Sequence, residues 1–219
     1  MPCREPQQNC ARELAPLLAW ICGIAVALAL RHGCYGDRQM AVGPNSSRMV
    51  KASSVFVDEV RVEDEKQKGM LFYGFVKPPE LSVDRNWTIL KHLFVDSYSH
   101  EGVSLWLNEG SVIWMEWEVV PHDGGNYKDM LMVVLKGEQN VKELERFHRM
   151  FSFSMSDVAD GTRKAEYRVI EDNSYYIGIL NLSPWYMVTK LKIDVSSKMY
   201  DTSEAASICS TDGGICKLM

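Results

Sequence analysis

Residues 165–195 read AEYRVIEDNSYYIGILNLSPWYMVTKLKIDV, and the fold class turns on how this run is parsed. Three segments, Ala165 to Glu171, Ser174 to Asn181 and Trp185 to Val195, are rich in Tyr, Ile and Val. They are divided by Asp172-Asn173 and by Ser183-Pro184, residues that favour turns. Within the third, Leu191, Ile193 and Val195 alternate with Lys190, Lys192 and Asp194, the period of a strand with one wet face. The expectation is an antiparallel meander.

Working upstream, Asp157 to Lys164 reads as loop and Met130 to Leu135 as a wholly apolar strand. Between them, Val141, Leu144, Phe147 and Phe151 recur at helical spacing, predicting one amphipathic helix over Glu138 to Phe151. In Ser111 to Val119, residues Ile113, Met115, Trp117 and Val119 share one face of a strand, and Trp114, Glu116 and Glu118 share the other. Asn108-Glu109-Gly110 joins this strand to Val103 to Leu107, so a β-hairpin is expected. Asn86 to Tyr98 is a further strand, as are Met70 to Val76, ended by Pro78-Pro79, and Ser54 to Val62, whose phase slips at Asp58-Glu59. Glu63 to Lys68 is a charged turn between the last two. Pro121 to Asp129 concentrates Pro, Gly, Asn and charge and marks a boundary or a long loop. The fold class is therefore mainly β, an antiparallel β-sandwich with one helix, built as one or two small β domains over 49–120 and 121–219.

The N-terminus differs. Leu14 to Leu30, LAPLLAWICGIAVALAL, is uncharged and has no polar face. At about 1.5 Å per residue it reaches about 25 Å as a helix, the short limit for a bilayer. It reads as a transmembrane signal anchor over 14–30, between a tail over 1–13 and a turn-rich stalk over 31–48. Pro16 is placed in the first helical turn, and Ala25, Ala27 and Ala29 leave a cleaved signal peptide open as the alternative. Asn45-Ser46-Ser47, Asn86-Trp87-Thr88 and Asn181-Leu182-Ser183 are N-glycosylation sequons, all C-terminal to the apolar run. They place the body in the lumen of the endomembrane system, or outside the cell if the apolar segment is removed.

Composition narrows the function. With 46% hydrophobic residues the chain can build a core, and a net charge of −5 without a basic stripe argues against nucleic acid as partner. Of six cysteines, Cys3, Cys10 and Cys22 precede or lie in the apolar run. Cys209 and Cys216 flank a glycine-containing loop and are expected to form a disulfide. That leaves Cys34 to be acylated, to cross-link a second chain or to stay free. Motifs for hydrolase, phosphate-binding or zinc-protease chemistry are absent. Asp96, Ser97, His100 and Ser104 are close in sequence, but strand alternation sends neighbours to opposite faces. His92, His100, His122 and His148 are scattered, and the acidic run Asp58, Glu59, Glu63, Asp64 and Glu65 reads as a solvated strand edge rather than a calcium site. No catalytic, cofactor or metal residue is assigned. Most of Trp87, Trp106, Trp114, Trp117 and Trp185 are expected in the core, with Trp114, out of phase, as candidate partner contact.

Several segments carry a resemblance: GPNSSR at Gly43 to Arg48, LFYGFVKPP at Leu71 to Pro79 and SHEGVSLWLNEGS at Ser99 to Ser111. KGE at Lys136 to Glu138, AEYRVIEDNSYYIGILN at Ala165 to Asn181 and KIDVSSKMYDTSEAASICST at Lys192 to Thr211 continue it. Together they resemble a plant family of membrane-anchored RING-type E3 ubiquitin ligases, the aberrant-pollen-development ligases. The resemblance implies an N-terminal membrane helix, lumenal amino-terminal and middle domains, a second membrane helix, and a cytosolic RING that binds zinc and recruits a ubiquitin-charged E2. It also implies endomembrane trafficking and pollen development as the setting. The residues after Thr211 hold one Cys and no His, against eight RING ligands, so the chain is read as a non-catalytic lumenal portion with zinc and E2 left to a missing RING. Its expected partners are the membrane, a lumenal protein and full-length relatives. The alternative is an independent secreted or tethered β-sandwich binding module.

Overall fold

A computed structural model describes residues 7–34, 40, 42–53, 57, 59–64, 69–120, 129–137, 140, 144, 153–159 and 162–218. The chain forms two units, residues 1–40 with 53–57, and residues 41–52 with 58–219.

The first unit holds helix α1, Gln7–Ala29, followed by a wider last turn, Leu30–Cys34. Because α1 begins at Gln7, Pro16 lies in its interior rather than in its first turn, and the Arg12 carbonyl loses its helical donor. Leu17, Leu18, Trp20, Ile21, Ile24, Val26 and Leu28 are all more than half exposed. Among the described residues no helix is long and apolar enough to cross a membrane.

The second unit is β. Its strands are β1 (Val60–Val62), β2 (Leu71–Gly74), β3 (Val83–Val95), β4 (His100–Leu107), β5 (Val112–Val120), β6 (Met130–Lys136), β7 (Met155–Val158), β8 (Thr162–Arg168), β9 (Asn173–Asn181), β10 (Met187–Met199), β11 (Ser207–Ser210) and β12 (Cys216–Leu218). One four-stranded sheet has the order β3-β10-β5-β8 and the other β4-β9-β6-β7, while β1-β12 and β2-β11 make two-stranded ribbons. Every pairing is antiparallel.

The spine is β10. Its alternation of Met187, Thr189, Leu191, Ile193 and Val195 inward with charged or polar residues outward lets it pair along its whole length with β3 and over Val188 to Ser196 with β5. The inward residues of β5, Ile113, Met115, Trp117 and Val119, are at most 4% exposed, as the alternation predicts. They meet Met130, Met132, Val134, Ile177 and Ile179 from the facing sheet. Strand β9 is buried on both faces, which is why its apolar run is continuous. Its other face joins Val133, Leu135, Tyr176 and Leu180 to Leu144 in a second cluster. Asn140 and Leu144 are helical; the rest of the helix expected over 138–151 falls outside the described residues, as does the loop over 121–128.

Four expectations are corrected by this topology. Strands β4 and β5 lie in different sheets, so Asn108-Glu109-Gly110 is an arch over the edge of the sandwich and not a hairpin turn. Strands β8, β9 and β10 likewise alternate between sheets instead of forming a meander. Periodicity reports which face of a strand is buried but not which strand lies beside it. The loop expected over 157–164 is largely strand, in β7 and β8. Finally, residues 49–120 and 121–219 are not separate sandwiches: each four-stranded sheet takes strands from both segments, and apart from residues 53–57 both segments fall in one compact unit.

The stalk expected over 31–48 is also corrected at its C-terminal end. Ser197 Oγ donates to the Asn45 carbonyl at 3.0 Å, and Asn108 Nδ2 donates to the Ser47 carbonyl at 2.9 Å and the Lys198 carbonyl at 2.9 Å. The Arg48 guanidinium lies 3.8 Å over the Trp106 ring. Residues 45–48 are thus docked on the sandwich. Of Ser54 to Val62 only Val60–Val62 is described as strand, residues 54–56 and 58 being outside the described set.

Candidate interaction surface

The outward face of the β3-β10-β5-β8 sheet carries Trp114. Its partners in register are Asp194 on β10 and Glu166 on β8. Trp114 Nε1 donates to Glu166 Oε2 at 3.1 Å, and Arg168 holds the other oxygen at 3.0 Å, leaving the indole 43% exposed. Around it run two cross-strand ion pairs, Lys164 with Glu116 at 3.1 Å and Lys190 with Glu118 at 3.2 Å, and one pair along β10, Lys192 with Asp194 at 2.8 Å. Asp194 also accepts from Thr88 Oγ1 at 2.6 Å. The Lys192 hydrogen bond, then that of Thr88, holds the Asp194 carboxyl below the ordinary carboxylate range, and Asp194 pushes Lys192 up. An aromatic ring pinned by its edge and set among ordered charges is the arrangement of an interface anchor with a polar rim.

A second aromatic cluster escaped the sequence reading. Phe94 and Tyr186 stack at 5.2 Å and 13°, and Trp185 is 61% exposed beside them in sequence, with Leu182 and Tyr98 also exposed. Trp185 was expected to open a strand, but β10 starts at Met187. The signal available was Ser183-Pro184, which holds Trp185-Tyr186 in a turn. Of the five tryptophans that follow α1, Trp117 alone is wholly buried, Trp87 and Trp106 are half-buried, and Trp114 and Trp185 are exposed, so fewer are core than expected.

The turn is held by Asn181. Its side chain is fully buried, and Nδ2 donates to the carbonyls of Val95 at 3.3 Å, Asp96 at 2.9 Å and Trp185 at 2.7 Å, while Oδ1 accepts from Ser183. In the folded chain the nitrogen that would bear a sugar at this sequon is therefore enclosed and engaged. Asn45 and Asn86 are exposed.

Cys209 and Cys216 are joined by a disulfide with Cα atoms 5.7 Å apart, tying β11 to β12. Cys22 is a free, exposed thiol. His100 Nδ1 lies 3.0 Å from Tyr176 Oη, and His92 is exposed. His122 and His148 fall outside the described residues, as do Asp58 and Glu65 of the acidic run. Glu59 of that run pairs with Arg61 at 3.1 Å and Lys217 at 3.4 Å, and the Arg61 hydrogen bond lowers its pKa. Among the described residues no group of three His, Cys, Asp or Glu could hold a metal ion. The geometry offers surface for contact and no assembled reaction centre among the described residues.

Residues 69–141 match the N-terminal domain of the E3 ubiquitin-protein ligases APD1-4, and residues 164–219 match their middle domain, together more than half of the chain. The chain belongs to the APD family of E3 ubiquitin-protein ligases. It is 27% identical over 204 residues to E3 ubiquitin-protein ligase APD1 of Arabidopsis thaliana, covering 91% of this chain and 45% of that relative. To APD2 of the same organism it is 27% identical over 209 residues, covering 91% and 46%. The chain thus spans about half the length of the curated relatives it matches. Among solved structures, the periplasmic g-type lysozyme inhibitor PliG of Aeromonas hydrophila covers 50% of the chain and 85% of its own length, at 8% identity and a TM-score of 0.31, a likeness too slight to bear on function. The APD N-terminal and middle matches interleave in one sandwich, since β3, β5 and β6 of the first pair with β8, β9 and β10 of the second.

Proposed function

We propose that this chain is the non-catalytic recognition region of a membrane-anchored RING-type E3 ubiquitin ligase, acting in protein ubiquitination in the endomembrane system. What supports it is the APD match across most of the sandwich, whose outward face presents Trp114 among ordered charges. In this reading the body lies in the lumen and α1 seats in the bilayer. Two features favour that setting: apolar side chains exposed around α1, whose transfer out of water gains about 25 cal/mol per Å², and a disulfide, which persists in oxidising compartments. Binding through Trp114 recruits a lumenal protein or a full-length relative, and ubiquitin transfer belongs to the RING of the assembled ligase. Zinc enters at that RING. The cysteines the middle domain could offer here, Cys209 and Cys216, are already bonded to each other, so no zinc-dependent step is assigned to them.

The test is expression of the chain in plant microsomes alongside a full-length APD ligase. The body is expected to resist added protease, stay with membranes after an alkaline carbonate wash, and co-purify with the full-length ligase in a Trp114-dependent manner. Recovery in the cytosol with reduced Cys209 and Cys216 overturns the lumenal placement. Ubiquitin-chain synthesis by the purified chain with E1 and E2 overturns the non-catalytic assignment.

A further inference from the structure

We propose that Asn86 carries an N-linked oligosaccharide that caps the open edge of β3. The proposal rests on the lumenal placement above. Strand β3 is the terminal strand of its sheet, thirteen residues long and paired among the described residues with β10 alone. A long edge strand offers its unpaired backbone N–H and C=O groups to any other extended chain, and exposed apolar side chains on it make association worse. Here the outward face of β3 shows Leu90 at 71% and Phe94 at 61% exposure. Natural edges are blunted by short length, proline, bulges or inward charge; β3 has neither proline nor short length, and its charges in the inward register, Arg85 and Lys91, leave Leu90 and Phe94 on the outward face uncovered.

Asn86 stands on that same outward face, four residues or about 13 Å along the strand from Leu90. Its side chain is exposed, no described residue bonds its amide, and its cross-strand neighbour is the small Ser196. There is room for a sugar at this position. The contrast with Asn181 is direct, since that amide nitrogen is enclosed and bonded to three carbonyls. Asn45 is also exposed, but it stands outside the strands, with its carbonyl docked against Ser197 of β10. In the folded body the sequon hydroxyl, Thr88 Oγ1, is bound to Asp194. In the transfer the Asn86 Nδ2 bonds to the anomeric carbon of a lipid-pyrophosphate-linked oligosaccharide. The bond from that carbon to the pyrophosphate oxygen breaks, the lipid pyrophosphate leaves with the electron pair, and Nδ2 gives up one proton.

The full chain is made in microsomes, with Asp201→Asn in an Asn86→Gln background as a topology reporter. That substitution completes an Asn-Thr-Ser sequon in an exposed turn, and its Oδ1 can keep the Ser203 N–H bond that Asp201 now accepts. Glycopeptide mass spectrometry is expected to find Asn86 occupied and Asn181 bare. An occupied reporter with Asn86 empty in the parent overturns this proposal and leaves the lumenal reading standing; an empty reporter with Asn86 empty overturns both. Sedimentation in detergent tests the capping. Asn86→Gln is expected to self-associate roughly tenfold more tightly than the glycosylated parent, and adding Leu90→Lys is expected to reverse this. Equal association of Asn86→Gln and parent overturns the capping role.

Discussion

Two buried asparagines do most to hold the irregular parts of the sandwich, and neither is hydrophobic. Asn108 receives Trp106 Nε1 at 3.1 Å and donates to the Ser47 and Lys198 carbonyls, fixing the β4–β5 arch and the docked segment at once. Gly110 takes φ +82 in that arch, a conformation that a side chain would strain. Asn181 does the same at the opposite turn. Asn181→Ala would take this donor from the buried Val95 carbonyl and from the part-buried carbonyls of Asp96 and Trp185, the last of which keeps Ser183 Oγ, against about 1–3 kcal/mol for each group left fully unsatisfied. The expected loss is about 3–5 kcal/mol in urea unfolding, with little change in far-UV circular dichroism. Asn86→Ala, at an exposed amide, should lie within about 0.5 kcal/mol of the unglycosylated parent. In sequence the two residues look alike, both being Asn of an N-x-[ST] motif; burial separates them.

Among the elements, the ion pairs on β10 and the disulfide between β11 and β12 respond to different conditions. Asp194 is held below its ordinary pKa by Lys192 and Thr88, so its contribution is fully present above the ordinary value and is lost as pH falls through the lowered one. Carboxyl titration by NMR should therefore place Asp194 below exposed aspartates, and Thr88→Val should move it back toward them. Tyr200 runs the other way: burial, then its hydrogen bond to Asp172 at 3.0 Å, pushes its phenol up to about 12. Its contribution holds below the ordinary value of 10.0 and is lost as pH rises through about 12. For the ribbon, Cys209→Ser with Cys216→Ser removes a short-loop constraint of about 2 kcal/mol. Amide exchange should then speed up in β11 and β12 and in β1, which β12 pairs through Val60, Arg61 and Val62, while β10 stays protected.

At the scale of the molecule, the interleaving of strands has a consequence that two consecutive domain matches do not suggest. Separately made segments 41–120 and 121–219 are each expected to remain unfolded by near-UV circular dichroism and proteolysis, because β5 and β10, or β4 and β9, are in different pieces. Co-expressed, they should assemble into one complex. Two folded monomeric fragments would refute the interleaved sandwich. Successive strands that alternate between sheets also make most contacts long-range in sequence, so refolding of the body is expected on the slow side, in milliseconds to seconds.

What the amino-acid sequence determined by itself was local and facial. The alternation in Val112–Val120 and Met187–Met199 set which side chains are buried, and the Tyr- and Ile-rich run within Asn173–Asn181 marked a strand, whose cover on both faces only the structure showed. The out-of-phase Trp114 was legible as an exposed ring for the same reason. Pairing was decided only in three dimensions. A strand of period two fits equally well beside its neighbour in the chain or opposite it in the other sheet, and the choice depends on closing one core between β10 and β9. The fate of Asn181 was decided there too, since a polar side chain is a surface site or a buried clasp according to the carbonyls that the folded chain brings around it.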